Sequence, residues 1–246
     1  MDIGSVVLLG NEMALRRRVD VIANNIANLN TTGFKREQTM FATAIRAMDN
    51  ATDPSHRPVF QVLDHGVAPD MRDGPFQQTG NPLDIAIVGQ GYFGVVSADG
   101  MLGHTRAGAI RISDDYFLET IGGRLADADG RPIQVPPEAT ARVAILPDGT
   151  VMAGTEQVGR VGVWTGSVRT IDPRGNTVMT IGDAVALPPN SVRLAVGGLE
   201  GSNVSAVVES TALIEAQRAY QSSQRMSDGI GDLQRRMIER LGRSQF

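Results

Sequence analysis

Three glycines in the segment "IAIVGQGYFG", residues 85–94, have the spacing of a phosphate-binding loop. Gly89, Gly91 and Gly94 match the G-x-G-x-x-G pattern that holds a dinucleotide pyrophosphate at the start of a helix. This chemistry requires a helix directly after the third glycine. The residues that follow, "VVSADGMLGHTR", instead form two short β-type runs around an Asp-Gly turn. The pattern therefore favours a glycine-rich β turn over a nucleotide site.

Other residue types that could do chemistry also lack the required pattern. Asp127, Asp129 and Glu138 occupy positions one, three and twelve of a calcium loop, but Pro132 stands at the sixth position, where the sharp turn needs glycine. The histidines are too scattered for metal ligation: His56, His65 and His104. The chain contains no G-x-S-x-G, P-loop or H-E-x-x-H motif. We therefore expect no catalytic residue, no cofactor and no metal, while a triad assembled from distant residues, and with it an enzyme, stays open at this point because it leaves no such local pattern.

The composition is globular and limits the classes of partner. The chain has 246 residues, of which 41% are hydrophobic and 20% charged, enough for one or two domains with a real core. The net charge is -4 and no basic run occurs, which argues against nucleic acid. Cysteine is absent, so disulfides and thiolate sites are excluded. No apolar run approaches the roughly 20 residues that span a bilayer, so we expect no membrane insertion.

The N-terminal charge order differs from that of a secretory signal. Asp2 precedes a short apolar run and residues 16–18, all arginine, follow it, whereas a signal peptide carries its positive charge first. Taken alone, this order favours a cytoplasmic protein.

A helix is predicted near the N-terminus, over residues 11–29. Its apolar residues recur at alternating spacings of four and three, which places them on one face: Leu15, Val19, Ile22, Ile26 and Leu29. Asn30 and Gly33 predict the end of the helix, because glycine favours the left-handed conformation that closes a helix. Phe34 can then pack against the last turn.

A longer helix with the same period is predicted over residues 204–241. Its face is small in the first half and large in the second: Ala212, Ala216, Ala219, Ser223, Met226, Ile230, Leu233 and Met237. Glu200 and Glu209 lie near its start, where acidic side chains favour the positive end of the helix dipole. We call the apolar faces of the two helices the predicted seam.

Between the helices the sequence changes character. Short runs rich in Val, Ile and Thr alternate with turn signals, which predicts an all-β domain over residues 80–199. The turn signals are Asp99-Gly100, Asp129-Gly130, Pro147-Asp148-Gly149 and Pro173-Arg174-Gly175. Residues 41–79 contain several prolines and neither period, and are expected to form an extended linker. The predicted fold class is α+β, with residues 1–40 and 200–246 pairing as a coiled-coil helical domain. Because the polar positions of the first helix are rich in asparagine, copies or relatives of the chain are expected to complete this domain.

Three segments resemble one known family. "DVIANNIANLNTTGFKR" (20–36), "GNPLDIAIVGQGYFGV" (80–95) and "LEGSNVSAVVESTALIEAQRAYQSSQRM" (199–226) are similar, in this order, to characteristic segments of the flagellar rod and hook protein family. The residues that carry the family motif are Asn24, Asn25, Asn28, Thr32, Gly33, Phe34, Gly80, Asn81 and Gly91. In this family the three glycines belong to a β segment. Within the family, the segments are most similar to the proximal rod type, with the distal rod type as the near alternative.

The resemblance implies a structural role. It implies a subunit of the bacterial flagellar basal-body rod, exported through the flagellar type III apparatus and assembled in the periplasm, in place of the cytoplasmic expectation. The implied partners are copies of the chain and other rod proteins, the FlgG, FlgB and FlgC types. Terminal helices would then form an inner coiled-coil layer of a drive shaft that transmits torque, with the β domain outside. Two other classes remain open: a soluble β-domain enzyme with helical oligomerisation ends, and a ligand-binding β module.

Overall fold

The fold is α+β and divides into two compact units. A computed structural model describes residues 3–46, 59–171 and 177–243. One unit, here called the helical unit, comprises Met1–Ile26, Glu37–Ala68 and Ser205–Phe246. The other, called the β unit, comprises Ala27–Arg36 and Pro69–Val204. The fold class inferred from the sequence, helices at the ends of the chain and a mostly β middle, is thus confirmed at this level.

Two long helices and a two-stranded sheet form the described part of the helical unit. Helix α1 spans Ile3–Ala27 and helix α2 spans Ala206–Arg243. Strand β1, Glu37–Arg46, pairs with strand β2, Val59–Pro69. Helix α1 begins eight residues before its predicted start, because residues 3–10 contain no proline and continue the apolar run.

Helix α1 ends two residues before Leu29. The Asn28 side-chain Oδ1 accepts a hydrogen bond from the Thr31 hydroxyl (3.0 Å), and the Thr31 N–H donates to the Asn28 carbonyl (3.2 Å). Such local bonds compete with the helical ladder, so asparagine closes the helix earlier than the apolar period suggests. Leu29 therefore lies in the turn after the helix, where its side chain is half-buried.

The segment expected to be an extended linker contains strands where the structure describes it. Strand β1 begins at Glu37, β2 ends at Pro69, and a third strand, β3, spans Phe76–Gln78. Residues 47–58, which hold two of the prolines of that segment, lie outside the described residues. Proline is tolerated at strand ends, which is where Pro69 stands.

Short strands connected by turns build the β unit. In chain order they are β4 Ile85–Ile87, β5 Tyr92–Val96, β6 Leu102–Thr105, β7 Arg111–Ile112, β8 Leu118–Thr120, β9 Gly123–Leu125, β10 Val143–Ile145, β11 Thr150–Ala153, β12 Glu156–Arg160, β13 Val163–Ile171, β14 Val178–Ala186, β15 Leu194–Val196 and β16 Gly198–Glu200. Short 3-10 helices occupy Pro137–Arg142 and Pro189–Ser191.

Antiparallel pairing organises these strands into sheets. Among the described residues the largest sheet has the order β13-β14-β6-β5-β9-β8-β7. Because β5 also pairs with β13, the strands β5, β6, β14 and β13 close into a ring. Strands β10, β11 and β12 form a separate sheet, β15 pairs with β4, and β16 pairs with β3. The last two pairings bring the chain before α2 back to the start of the β unit.

The core of the β unit is apolar and closely packed. Its most buried members include Ile85, Phe93, Leu118, Leu125 and Val151, each with a relative exposure that rounds to zero. The expected Asp-Gly turns at residues 99–100, 129–130 and 148–149 are present, each with a glycine φ near +80°. A further expected turn, at residues 173–175, lies outside the described residues.

No helix in the described part of the chain is long and apolar enough to cross a membrane. Within those same residues, no group of three or more His, Asp or Glu side chains is placed to hold a metal ion.

Candidate assembly site

Hydrogen bonds at two levels join helices α1 and α2. The Asn25 side-chain Nδ2 donates to Glu209 Oε2 (3.2 Å), and the Asn11 Nδ2 donates to Ser223 Oγ (3.5 Å). The two contact residues are 14 positions apart on each helix, in opposite sense. The helices are therefore antiparallel over this span, which corresponds to about 21 Å of helix.

The predicted seam of α1 faces the interior of the helical unit. Ile22 is buried, and the other three seam residues within the helix are half-buried: Leu15, Val19 and Ile26. The fifth predicted residue, Leu29, lies in the turn after the helix and belongs to the β unit. Val21 and Asn25 are also buried, although the four-three spacing did not include them. The buried face of α1 is therefore wider than the predicted seam.

The predicted seam of α2 is only partly covered. Ala216 and Ser223 are buried, and Ala212 and Ile230 are half-buried. The remaining seam residues are exposed: Ala219, Met226, Leu233 and Met237. The buried column consists of Glu209, Ala216 and Ser223, spaced by seven, and lies against α1. Ala219, Met226 and Leu233 lie on the other side of the predicted seam, and Met237 continues the buried column beyond the level of Ile3, where α1 begins. Met226, Leu233 and Met237 are 57%, 60% and 58% exposed.

Asn25 also connects α1 to strand β1. Its Nδ2 donates to the Glu37 carbonyl (2.9 Å) and its Oδ1 accepts from the Glu37 N–H (2.8 Å). The neighbouring Asn24 donates to the Glu37 carboxylate (3.1 Å). These two motif asparagines therefore act as connectors within the helical unit, a role that the helix period did not indicate.

A second polar group, inside the β unit, is made of buried ions. Lys35 Nζ lies 2.6 Å from Glu200 Oε1, and Arg106 Nη1 lies 3.1 Å from Glu200 Oε2. All three residues are at most 5% exposed. The Lys35 ammonium also donates to the Arg72 carbonyl (2.8 Å), and the exposed Asp73 carboxylate lies 4.0 Å from Lys35 and 3.7 Å from Arg106. We call Lys35, Glu200 and Arg106 the buried ion cluster.

The placement of Glu200 corrects its expected role. It lies in strand β16, outside helix α2, and its carboxylate neutralises two buried cations instead of interacting with the helix dipole. Glu209 does lie in the first turn of α2, but it is fully buried and accepts from Asn25. No sequence signal indicated the cluster, since its three members are residues 35, 106 and 200 in the chain and belong to a class of residues that is ordinarily exposed.

The motif residues Gly33 and Phe34 pack beside this cluster. The Gly33 N–H donates to the Glu200 carbonyl (2.8 Å), and its φ is +68°. A Cβ atom on Gly33 would lie 2.3 Å from the Arg106 carbonyl carbon, so only glycine fits without displacing the main chain. Phe34 is buried at 5% exposure and Thr32 is half-buried.

The second motif segment forms a hydrogen-bonded turn. The Asp84 carboxylate accepts from the Thr79 hydroxyl (2.6 Å) and from the Asn81 side-chain amide (3.0 Å). Gly80 stands between them with φ +78°. Asn81 and Gly80 therefore shape the entry into strand β4.

The G-x-G-x-x-G glycines serve packing. A Cβ on Gly91 would lie 2.7 Å from Val163 Cγ1, and one on Gly94 would lie 2.1 Å from the Trp164 ring. Gly89 presents its carbonyl to the Arg106 guanidinium (2.8 Å). Gly94 lies inside strand β5, and a turn and strand β6 come next, where a nucleotide site would need a helix.

The shifted pKa values in the β unit have structural causes. Burial lowers the pKa of His104, whose ring stands edge-on to Trp164 at 5.6 Å, with a smaller opposing effect of the Met179 main chain. Burial also raises the pKa of Tyr92. Hydrogen bonds from Arg72 lower the pKa of Asp70, and hydrogen bonds from Thr150 lower that of Asp148. These groups stabilise turns and core packing.

Three family models match the chain in the regions described above. Residues 12–35 match the Flagella basal body rod protein model, residues 86–153 the Flagellar hook protein FlgE/F/G D1 domain, and residues 195–240 the Flagellar basal body rod FlgEFG protein C-terminal model. The chain is 39% identical over 246 residues, 99% of both chains, to the flagellar basal-body rod protein FlgF of Caulobacter vibrioides. It belongs to the flagellar basal-body rod protein family.

Other relatives show the same family with a preference for one type. FlgF of Mesorhizobium japonicum is 32% identical over 232 residues, 88% of each chain. FlgG of Agrobacterium fabrum is 30% identical over 240 residues, 87% of this chain and 89% of the relative. The chain is thus a FlgF-like structural subunit of the flagellar rod and not an enzyme, as the resemblance of the three segments implied. Its place is the flagellar basal body.

Proposed function

We propose that the chain builds the proximal part of the rod in the periplasm and helps it to transmit torque. Its terminal helices pair as a coiled coil and pack against copies of the chain and against other rod proteins of the FlgG, FlgB and FlgC types. Before assembly the chain passes through the flagellar type III export apparatus. The predicted seam and the family-motif residues are the proposed assembly residues.

The observation that carries this proposal is the half-covered seam of α2. Met226, Leu233 and Met237 repeat at the same period as the buried residues of the helix and are more than half exposed. Helix α2 has 38 residues and α1 has 25, so α1 is too short to cover all of α2. Apolar side chains repeated along one helix stripe are the usual contact surface for further helices.

The first experiment is quantitative mass spectrometry of purified hook-basal-body particles from the native cell. A fixed ratio of several copies to the other rod subunits supports the proposed role. Stepwise disassembly of the particles then gives the position of the subunit along the rod axis. A proximal position supports the FlgF type, and a distal position supports the FlgG type. Absence from the particles, with intact protein elsewhere in the cell, would overturn the proposal.

A pair of variants tests the helix contacts. Ala216→Arg places a long cation at a buried position of α2, and we expect loss of incorporation into the rod and loss of motility. The neighbouring Gln217 is exposed, so Gln217→Arg adds the same charge to the same turn and should assemble normally. Circular dichroism of both proteins checks that the β unit remains folded. Normal motility of the Ala216→Arg strain would contradict the proposed packing.

A further inference from the structure

The contact between α1 and α2 contains polar side chains at positions where the helix period predicts buried apolar residues. Asn25 and Glu209 are 1% and 0% exposed, yet they belong to the same buried faces as Ile22 and Ala216. A buried amide in a helix pair weakens the interface compared with leucine, but it fixes register, because other alignments leave its hydrogen bonds unmade. The stability of the helix pair therefore does not account for the burial of the Asn25 amide.

The amide of Asn25 has three described hydrogen bonds. Both Nδ2 contacts, to the Glu37 carbonyl and to Glu209 Oε2, use its donors, and its Oδ1 accepts from the Glu37 N–H. Strand β1 thereby fixes the amide, and the amide in turn selects one level of helix α2. At the other end, Asn11 donates to Ser223 at 3.5 Å and marks the same alignment.

The apolar residues alone do not choose this alignment. In the observed register Leu15 is level with Ala219 and Ile22 is level with Ala212, since these pairs have the same spacing from the two hydrogen-bonded contacts. A slip of one heptad toward the C-terminus of α2 brings Ile22 level with Ala219, again isoleucine against alanine, and Leu15 level with Met226. The same slip places Asn25 opposite Ala216 and separates it from the buried Glu209 carboxylate.

We propose that Asn25, assisted by Asn11, sets the register of α1 on α2 and so makes one antiparallel alignment specific. This inference names the residues that determine the pairing proposed above for rod assembly, and its use in the rod rests on that proposed function. The pairing selected by Asn25 also excludes helices of other subunits that present alanine, without an acceptor, at the level of Glu209.

The absence of cysteine makes the register directly measurable. We would introduce Leu15→Cys with Ala219→Cys to report the observed alignment, and Leu15→Cys with Met226→Cys to report the slipped one. Each pair is joined with a short bismaleimide in the purified full chain and, separately, in basal-body particles. With Asn25 present, we expect the 15–219 product to exceed the 15–226 product at least tenfold.

Substitution of Asn25 should change this ratio. In Asn25→Leu the 15–226 product should rise at least tenfold relative to the 15–219 product. Asn24→Leu is the matched control, because it makes the same chemical change one position earlier, at a half-buried side chain that donates to the Glu37 carboxylate, and it should keep the native ratio. An unchanged ratio in Asn25→Leu, or no 15–219 product with Asn25 present, would overturn the inference.

A double variant keeps the test decisive if Asn25→Leu alone fails to fold. In Asn25→Leu with Glu209→Leu both buried polar partners become apolar, a change that is often nearly neutral for stability. We expect helical circular dichroism with mixed register, and a native-only cross-link would refute the proposal. The purified chain tests the register, whereas particle composition tests the rod function, so either can fail alone.

Discussion

Replacing Glu200 by glutamine removes the carboxylate that two buried cations share. Lys35 and Arg106 would then be left with the Asp73 carboxylate, which is 67% exposed and at least 3.7 Å from both cations. Removing one partner of a buried ion pair typically costs about 3–5 kcal/mol, because an uncompensated charge remains inside. An exposed pair such as that with Asp73 offsets at most about 1 kcal/mol of this. The expected destabilisation of the β unit is therefore about 3 kcal/mol.

Tryptophan fluorescence during urea unfolding measures this change selectively. The chain's single tryptophan, Trp164, is buried in β13 and reports on the β unit. With a slope of roughly 2 kcal/mol per molar urea, the midpoint should fall by about 1.5 M. The exposed Glu156 in β12 supplies the control, since Glu156→Gln makes the same chemical change and should stay within about 0.5 kcal/mol of the native protein.

The size of the shift decides whether the cluster is a buried charge arrangement. A midpoint of Glu200→Gln within 0.2 M of the control, on the roughly 2 kcal/mol per molar scale, would refute the reasoning. Lys35→Met gives an independent check, because it removes one cation and leaves Glu200 paired with Arg106 at 3.1 Å. We expect it to be the milder of the two substitutions.

Three further outcomes follow from particular contacts. The pKa of His104 in the folded chain is lowered from 6.5, so the unfolded chain binds the proton more readily and the free energy of unfolding should fall as pH drops below about 6.5. Urea midpoints measured between pH 7 and 5.5 should show this fall in the native protein and not in His104→Phe. Gly33→Ala should destabilise the β unit through both backbone strain and a clash with the main chain of Arg106. Gly154 has the same φ of +68° with nothing within 4 Å of an added Cβ, so Gly154→Ala should lower the free energy of unfolding by backbone strain alone. Equal urea midpoints for the two variants would contradict the close packing of Gly33. Leu233→Gln with Met237→Gln should leave monomer stability unchanged, since both are exposed, yet reduce incorporation into basal bodies measured by immunoblot; undiminished incorporation would exclude these residues from the assembly contacts.

Sequence periodicity predicted the helices and the face of α1 because burial of an amphipathic face leaves a direct imprint on spacing. It did not predict which side of α2 meets α1. The helical period does not distinguish two columns of residues on α2, because an interval of seven separates the members of both. One column contains Ala212, Ala219 and Met226, and the other contains Ala216 and Ser223. Only the hydrogen bonds of Asn25 and Asn11 separate the two columns.

The sequence did not predict the buried ion cluster, for a different reason. Lys35, Arg106 and Glu200 are far apart in the chain, and charged residues are ordinarily exposed, so nothing local indicates their burial. Gly33 was expected to close helix α1, whereas it serves the close approach of its main chain to that of Arg106. Its positive φ was predictable from its residue type, and its partner was not.

The burial of Lys35 has a practical consequence for mapping the neighbours of this subunit. It carries the chain's only side-chain amine, which is 1% exposed and held by Glu200. Reagents such as N-hydroxysuccinimide esters and aldehydes need an accessible, nucleophilic amine. Lysine-directed cross-linking of whole basal bodies will therefore record few contacts for this subunit even where it is fully surrounded. Carboxylate-directed coupling, for which the chain offers 27 acidic residues, is the chemistry that will locate it among its neighbours.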